Sequence, residues 1–182
     1  MNGKKILITG SNGLLGRSLR RSLLEHNFFV IATGIGPDRF PQHSHVYEEM
    51  DVTSLKVCSD VINRHQPDVI INAAALTNVD ECEQKKDLCF SVNTKSLWNY
   101  IPFIKEYKIH LIHISTDFVF SGEKGQYHEY DNCSPKNLYG LSKLESETIV
   151  MQQSFNSTVI RTSLVYGDDE GCPNFFTWVK SS

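Results

Sequence analysis

The chain has 182 residues, 40% of them hydrophobic, with 18 Lys and Arg against 21 Asp and Glu, a formal net charge of −3. That balance describes one ordinary globular domain able to bury a core, and excludes a disordered, collagen-like or coiled-coil protein. It also argues against nucleic acid as a partner, because such binding needs a basic face to displace phosphate counterions.

Apolar runs of strand length alternate with helical periodicity from the start, which is the pattern of βαβ units. The expected fold class is α/β, a doubly wound parallel sheet of Rossmann type. Lys5 to Thr9 is a short buried strand. Leu14, Leu15, Leu19, Leu23 and Leu24 form the apolar stripe of the next helix, with Arg17, Arg20 and Arg21 expected on its solvated face. Phe28 to Thr33 reads as a second strand, Gly34 to Pro41 as a loop, and a weaker strand lies around Val46 and Tyr47. Ser54 to His65 has helical spacing and is stopped by Pro67, after which Asp68 to Asn72 is a buried strand ending in Ala73, Ala74 and Ala75. One long helix is expected from about Lys85 to Tyr107. The fifth strand, Ile109 to Ile114, is interrupted by His110 and His113 and delivers Ser115, Thr116 and Asp117 at its carboxyl end. A polar loop then leads to a helix over roughly Leu138 to Gln153 and a sixth strand over Ser157 to Arg161. Residues 1–171 are expected to form a dinucleotide-binding domain, and 172–182 the start of a truncated substrate-binding lobe.

Cys58, Cys82, Cys89, Cys133 and Cys172 make no CxxC pair and no His/Cys ligand spacing, so reduced thiols are expected. His43 and His45 lack companion ligands, and no metal is expected. The apolar run after Lys4 and Lys5 is too short for a signal-peptide core or a membrane span, so the expectation is a cytoplasmic protein with no membrane partner.

Between the first strand and first helix stand Gly10, Ser11, Asn12, Gly13, Leu14, Leu15 and Gly16. Here a pyrophosphate can meet the free N–H groups and positive end of a helix. Gly10 permits a tight turn, Gly13 lets the backbone approach the phosphate, and Gly16 lets the helix pack closely. The second strand ends without an acid to bind the adenosine ribose of NAD. Arg39 either pairs with the extra phosphate of NADP or is a solvated loop charge. NADP(H) is therefore the preferred cofactor, with NAD(H) possible. The GxxGxxG spacing resembles the extended branch of the short-chain dehydrogenase/reductase superfamily. The resemblance implies that Asp51 and Val52 flank the adenine and that Ala73, Ala74 and Ala75 line the cofactor. Read from the residues alone, Asp51 fits a helix N-cap region equally well, and the alanines fit close packing.

Tyr139 and Lys143 stand at i and i+4, on one face of a helix, where an ammonium is expected to favour the phenolate and bring the phenol near working pH. Thr116, at the carboxyl end of the fifth strand, lies where open α/β sheets bind ligands. The text around Ile114 to Gly122, with Pro135 to Lys143 and Arg161 to Gly167, resembles dTDP-4-dehydrorhamnose reductase and its relatives. That resemblance implies NAD(P)H-dependent reduction of the 4-keto group of a nucleotide-linked deoxysugar. Tyr139 would protonate the oxygen, Thr116 orient it, Lys143 hold the phenol and the nicotinamide ribose, Asn93 support the lysine, and Asp117 contact the sugar; read from the residues alone, Asn93 fits an exposed polar position on a helix and Asp117 a cap of the turn. Phe118 stands where related dehydratases carry a glutamate, which favours reduction over elimination. The regulatory subunit of methionine adenosyltransferase resembles the same group, so a non-catalytic NADP-binding partner protein stays open, as do an inactive fragment and a homodimer.

Overall fold

The computed structural model describes residues 3–153 and 155–167, together with Asn174 and Val179. Six strands form one sheet in the order β3-β2-β1-β4-β5-β6: β1 (Lys5–Thr9), β2 (Phe29–Gly34), β3 (Val46–Glu49), β4 (Val69–Asn72), β5 (His110–Thr116) and β6 (Ser157–Thr162). Every pairing is parallel, so the doubly wound α/β class is the observed one. Side chains along each strand alternate between two covered faces. Ile6, Ile8, Val30 and Ile71 pack under α1 (Leu14–Glu25) through Leu19, Leu23 and Leu24. Leu7, Ile31, Ile70 and Leu111 face the opposite way, onto a larger core with α2 (Leu55–His65) and α5 (Ile101–Tyr107). Burial on both sides is why these strands read as continuous apolar runs.

Two expectations are corrected. The helix foreseen over 85–107 is broken into α4 (Lys86–Asn93), a 3-10 turn (Lys95–Asn99) and α5. Pro102 cannot donate a backbone N–H and is tolerated only in the first turn of α5, so the chain must restart a helix there. A short helix, α3 (Val79–Gln84), precedes them, capped by the Asn78 side chain.

The second correction concerns the arginines of α1. Arg17 and Arg20 are buried rather than solvated. Arg20 makes a two-pronged ion pair with Asp38, at 2.8 and 2.9 Å, and also donates to the carbonyls of Phe40 and His43. Arg17 lies 3.4 Å from the Phe40 ring centroid and donates to the Asn12 carbonyl. These two side chains fold the loop after β2 against α1, a planar-fork geometry that Arg satisfies and Lys does not.

The boundary foreseen near residue 171, and Cys172, lie outside the described residues. The described helices include none long and apolar enough to cross a membrane.

Candidate active site

The carboxyl ends of β1, β4, β5 and β6 open onto a cavity of about 770 Å³. Gly10, Gly13, Leu14, Leu15 and Gly16 line one side, Ala73, Ala74 and Ala75 the floor, and Thr116, Asp117, Tyr139 and Lys143 the other side. Residues 90 or more positions apart in sequence are thus gathered in one cleft, at the position where parallel sheets bind ligands.

The glycines of the first wall have different reasons to be there. Gly10 has φ +65°, and a Cβ on it would lie 2.8 Å from the Ala74 backbone. At Gly16 a Cβ would come within 2.5 Å of the Gly10 carbonyl oxygen, so close packing of α1 on the turn requires glycine. At Gly13 the nearest heavy atom is 3.3 Å away and the residue is exposed, which leaves its backbone open for a ligand's approach. Thr9 ties the turn to the floor: its hydroxyl donates to Asn72 Oδ1 at 2.9 Å and accepts from the Ala73 and Ala74 amides. Ser11 is fully buried, and its hydroxyl has no hydrogen-bond partner. The amides of Ser11 and Gly13 are taken by the Thr33 and Gly10 carbonyls, so it is the first-turn amides of α1, beside the unpartnered Ser11 hydroxyl, that suit a diphosphate group.

Several other expected cofactor residues serve the scaffold with the contacts they make here. Asn12 holds the loop after β2, donating to the Pro37 carbonyl and accepting from the Arg39 amide. Arg39 is exposed on that loop, outside the cavity lining. Asp51 accepts from the amide and hydroxyl of Thr53, an Asx turn just before the Ser54 N-cap of α2, and Val52 is buried. Asn93 is buried and clamps the Leu76 backbone through both its N–H and C=O, while also donating to Ser142 Oγ.

The second wall is carried by α6 (Leu138–Met151), whose N-cap Asn137 accepts from the Gly140 amide at 2.7 Å. A Cβ on Gly140 would run into the Phe118 carbonyl, so this glycine brings the Tyr139 turn close to the 3-10 turn Asp117–Val119 that follows Thr116. The Tyr139 ring meets Phe118 edge-on at 5.8 Å. Thr116 Oγ donates to Asp117 Oδ1 and accepts from the Phe118 amide, each at 3.2 Å.

Burial raises the Tyr139 phenol above its ordinary value, although a hydrogen bond with Thr116 opposes this. That direction is opposite to the lowering expected from Lys143: loss of solvent raises the phenol, and the nearby Asp117 carboxylate adds to the rise. Lys143 is 2% exposed, and burial pushes its ammonium down to about 8, with Glu147 opposing.

Behind this wall runs a buried polar chain. Asn72 donates to His113 Nδ1 at 3.0 Å, His113 Nε2 bonds Ser146 Oγ at 2.8 Å, and Ser146 donates to the Lys143 carbonyl at 2.6 Å. Burial, then the Lys143 charge, drives His113 well below the usual histidine value, so the ring is neutral.

Residues 4–181 match the family described as RmlD substrate binding domain. The chain belongs to this family. A dTDP-4-dehydrorhamnose reductase of Aggregatibacter actinomycetemcomitans is 34% identical over 165 residues, covering 90% of this chain and 52% of that protein. Methionine adenosyltransferase 2 subunit beta of Pongo abelii is 29% identical over 167 residues, covering 92% of this chain and 48% of its own. A hypothetical dTDP-4-dehydrorhamnose reductase from Sulfolobus tokodaii has TM-score 0.84 and 37% identity, over 97% of this chain and 60% of that one. The Bacillus anthracis dTDP-4-dehydrorhamnose reductase in complex with NADP has TM-score 0.83 and 28% identity, over 98% and 59%. The chain spans about half the length of the curated relatives it matches.

Within this RmlD-family cleft, Thr77, Ser115, Thr162, Ser163, Leu164 and Val165 also line the cavity, although none was assigned from the sequence a catalytic or cofactor-binding role. Thr162 to Val165 follow the last strand of the sheet, and the rule that ligands sit beyond strand carboxyl ends is the signal that would have found them.

Proposed function

We propose that the chain is the cofactor-binding and proton-donating part of an NADP(H)-dependent reductase acting on the 4-keto group of a nucleotide-linked deoxysugar, working in the cytoplasm. The observation that carries this reading is that the glycine turn, Thr116, Tyr139 and Lys143 line one cavity. The first-turn amides of α1 would hold the pyrophosphate, with Arg39 on the adjacent loop as the group for a 2′-phosphate and NAD(H) the weaker ligand. When bound, the nicotinamide supplies the hydride. Tyr139 donates its phenolic proton to the substrate oxygen, Thr116 holds that oxygen by its hydroxyl, and the Lys143 ammonium stabilises the phenolate left behind. A phenol held above its ordinary value keeps its proton at neutral pH, as a donor must.

The test is NADPH oxidation followed by stopped flow with a 4-keto sugar nucleotide. Tyr139→Phe should lower turnover by roughly 10² or more while leaving NADPH affinity within about twofold. Turnover that survives this substitution contradicts the assignment. A second reading, a non-catalytic NADP-binding partner of another enzyme, is supported by the likeness to methionine adenosyltransferase 2 subunit beta. It predicts NADPH binding without oxidation of the cofactor by any keto sugar nucleotide, and co-purification with an enzyme.

A further inference from the structure

Glu147 lies one helical turn beyond Lys143 and two beyond Tyr139, on the same face of α6, and is 2% exposed. Its carboxylate is held by two residues from two different strands. Arg161 of β6 donates to it at 2.9 and 2.7 Å, and the Ser115 hydroxyl of β5 makes a short hydrogen bond to it. The same guanidinium donates to the Glu129 carbonyl of the polar loop and lies 5.0 Å from the Phe120 ring. Ser115 immediately precedes Thr116, and Arg161 immediately precedes Thr162, both on the cavity wall. One buried carboxylate therefore fastens the helix of the phenol and ammonium to the strand of the threonine and to the last strand.

We infer that Glu147, with Arg161 as its counter-ion, is a positioning residue for the reactive trio: it locks α6 in register with β5 and β6 and supplies the buried negative charge that keeps Lys143 an ammonium. The buried Cys89 also favours the ammonium, but less than Glu147 does. The ionisable groups on the elements packed against α6 are Asp80, Glu81, Cys82 and Glu83 of α3, Lys86, Asp87 and Cys89 of α4, Lys95 of the 3-10 turn, His110 and His113 of β5, Asp117 and Arg161; of these Asp80, Lys86 and Asp87 are exposed, Glu81 pairs with Lys85, and His110 bonds the Thr158 hydroxyl. Glu83 is spent on the Leu138 amide at the far end of the helix, and Asp117 on Thr116. His113 is neutral and Lys95 is exposed. No carboxylate lies within ion-pair distance of the Lys143 ammonium among the described residues. The field from Glu147 is thus the main compensation for burying that charge, and Arg161 sets how much of it Lys143 feels.

The inference rests on the reductase reading only for what Lys143 does in turnover. Its test needs neither cofactor nor substrate: the Lys143 ammonium is titrated by NMR of lysine Cε in the full chain. In Glu147→Gln the midpoint should fall by about one pH unit from the wild-type position near 8, and in Arg161→Gln it should rise by a similar amount. Arg161→Lys should restore the wild-type midpoint. A merely structural strut would loosen α6 in both Gln variants and move the midpoint the same way in each. That outcome, or an unchanged midpoint in either, overturns the inference, and the sign in Arg161→Gln decides the matter if Glu147→Gln does not fold. Failure of wild-type protein to bind NADPH would instead count against the reductase reading alone.

Discussion

The two walls of the cleft are built in opposite ways. The wall after β1 uses absence: glycines bring backbone amides forward, and side chains such as Thr9 and Asn12 are turned to holding loops in place. The wall formed by β5, α6 and β6 uses presence, with Lys143, Glu147 and His113 all buried behind the reactive surface. Backbone geometry tolerates little change of shape but is insensitive to pH. A buried charge network tolerates isosteric change but responds to every proton. Substitutions that separate shape from charge are therefore the way to test the contrast.

The largest effect is expected at Gly16. A valine there would collide with the Gly10 carbonyl and the Ser11 backbone, so Gly16→Val should cost about 3 kcal/mol or more of stability in denaturant unfolding. A variant that unfolds like wild type would show that the turn is looser than the packing of α1 implies.

Next comes the support of that wall. Arg20→Met strands Asp38 and three acceptors around it, and should lose about 2 to 4 kcal/mol. The Asp38 carboxyl feels burial first, but the Arg20 hydrogen bond, the Phe40 amide and the Arg20 charge together bring it below its ordinary value. The folded form thus favours the ionised aspartate. The pair's stabilisation is complete above the ordinary aspartate value and is lost as pH falls through the lowered one. Acid unfolding of Arg20→Met, followed by circular dichroism, should accordingly lack the steep loss that wild type shows in that range.

The smallest effect belongs to the charged wall and has the opposite sign with pH. Lys143 is lowered to about 8 from an ordinary 10.5, so between those values the unfolded chain keeps a proton that the folded chain has released. Stability from this group therefore rises with pH across that window. Unfolding of wild type compared with Lys143→Met should show the difference growing in favour of wild type from pH 8 to 10.5. A flat difference would mean that the ammonium is not desolvated as the cleft geometry requires.

The contrast between the walls also explains what could be read in advance. Gly10 and Gly16 announce themselves by spacing because a Cβ at either would strike backbone, Gly13 completes the pattern without such a constraint, and period and length likewise disclose the sheet. The Tyr139 and Lys143 pair is legible because i and i+4 share a helix face. Glu147 and Arg161 were passed over as site residues because their meeting is tertiary, with partners on three different elements. Arg20 misled for a related reason: an arginine on a helix between leucines looks solvated until a loop supplies acceptors for every prong of its fork. The break between α4 and α5 was hidden because Pro102 can sit in a first turn as readily as it ends a helix.

The central claim is that the cleft receives a dinucleotide along the open backbone of Gly13. It is tested most directly by calorimetric titration of NADPH into wild type and Gly13→Val. Gly13 has φ −80°, which any residue adopts, and its Cβ would meet only the Gly10 carbonyl, at 3.3 Å, so the valine variant should fold at a modest cost in thermal stability. The account predicts one NADPH bound per wild-type chain and affinity reduced by about 10² or more in Gly13→Val. Equal affinity in the two proteins, or no binding to wild type, would contradict it.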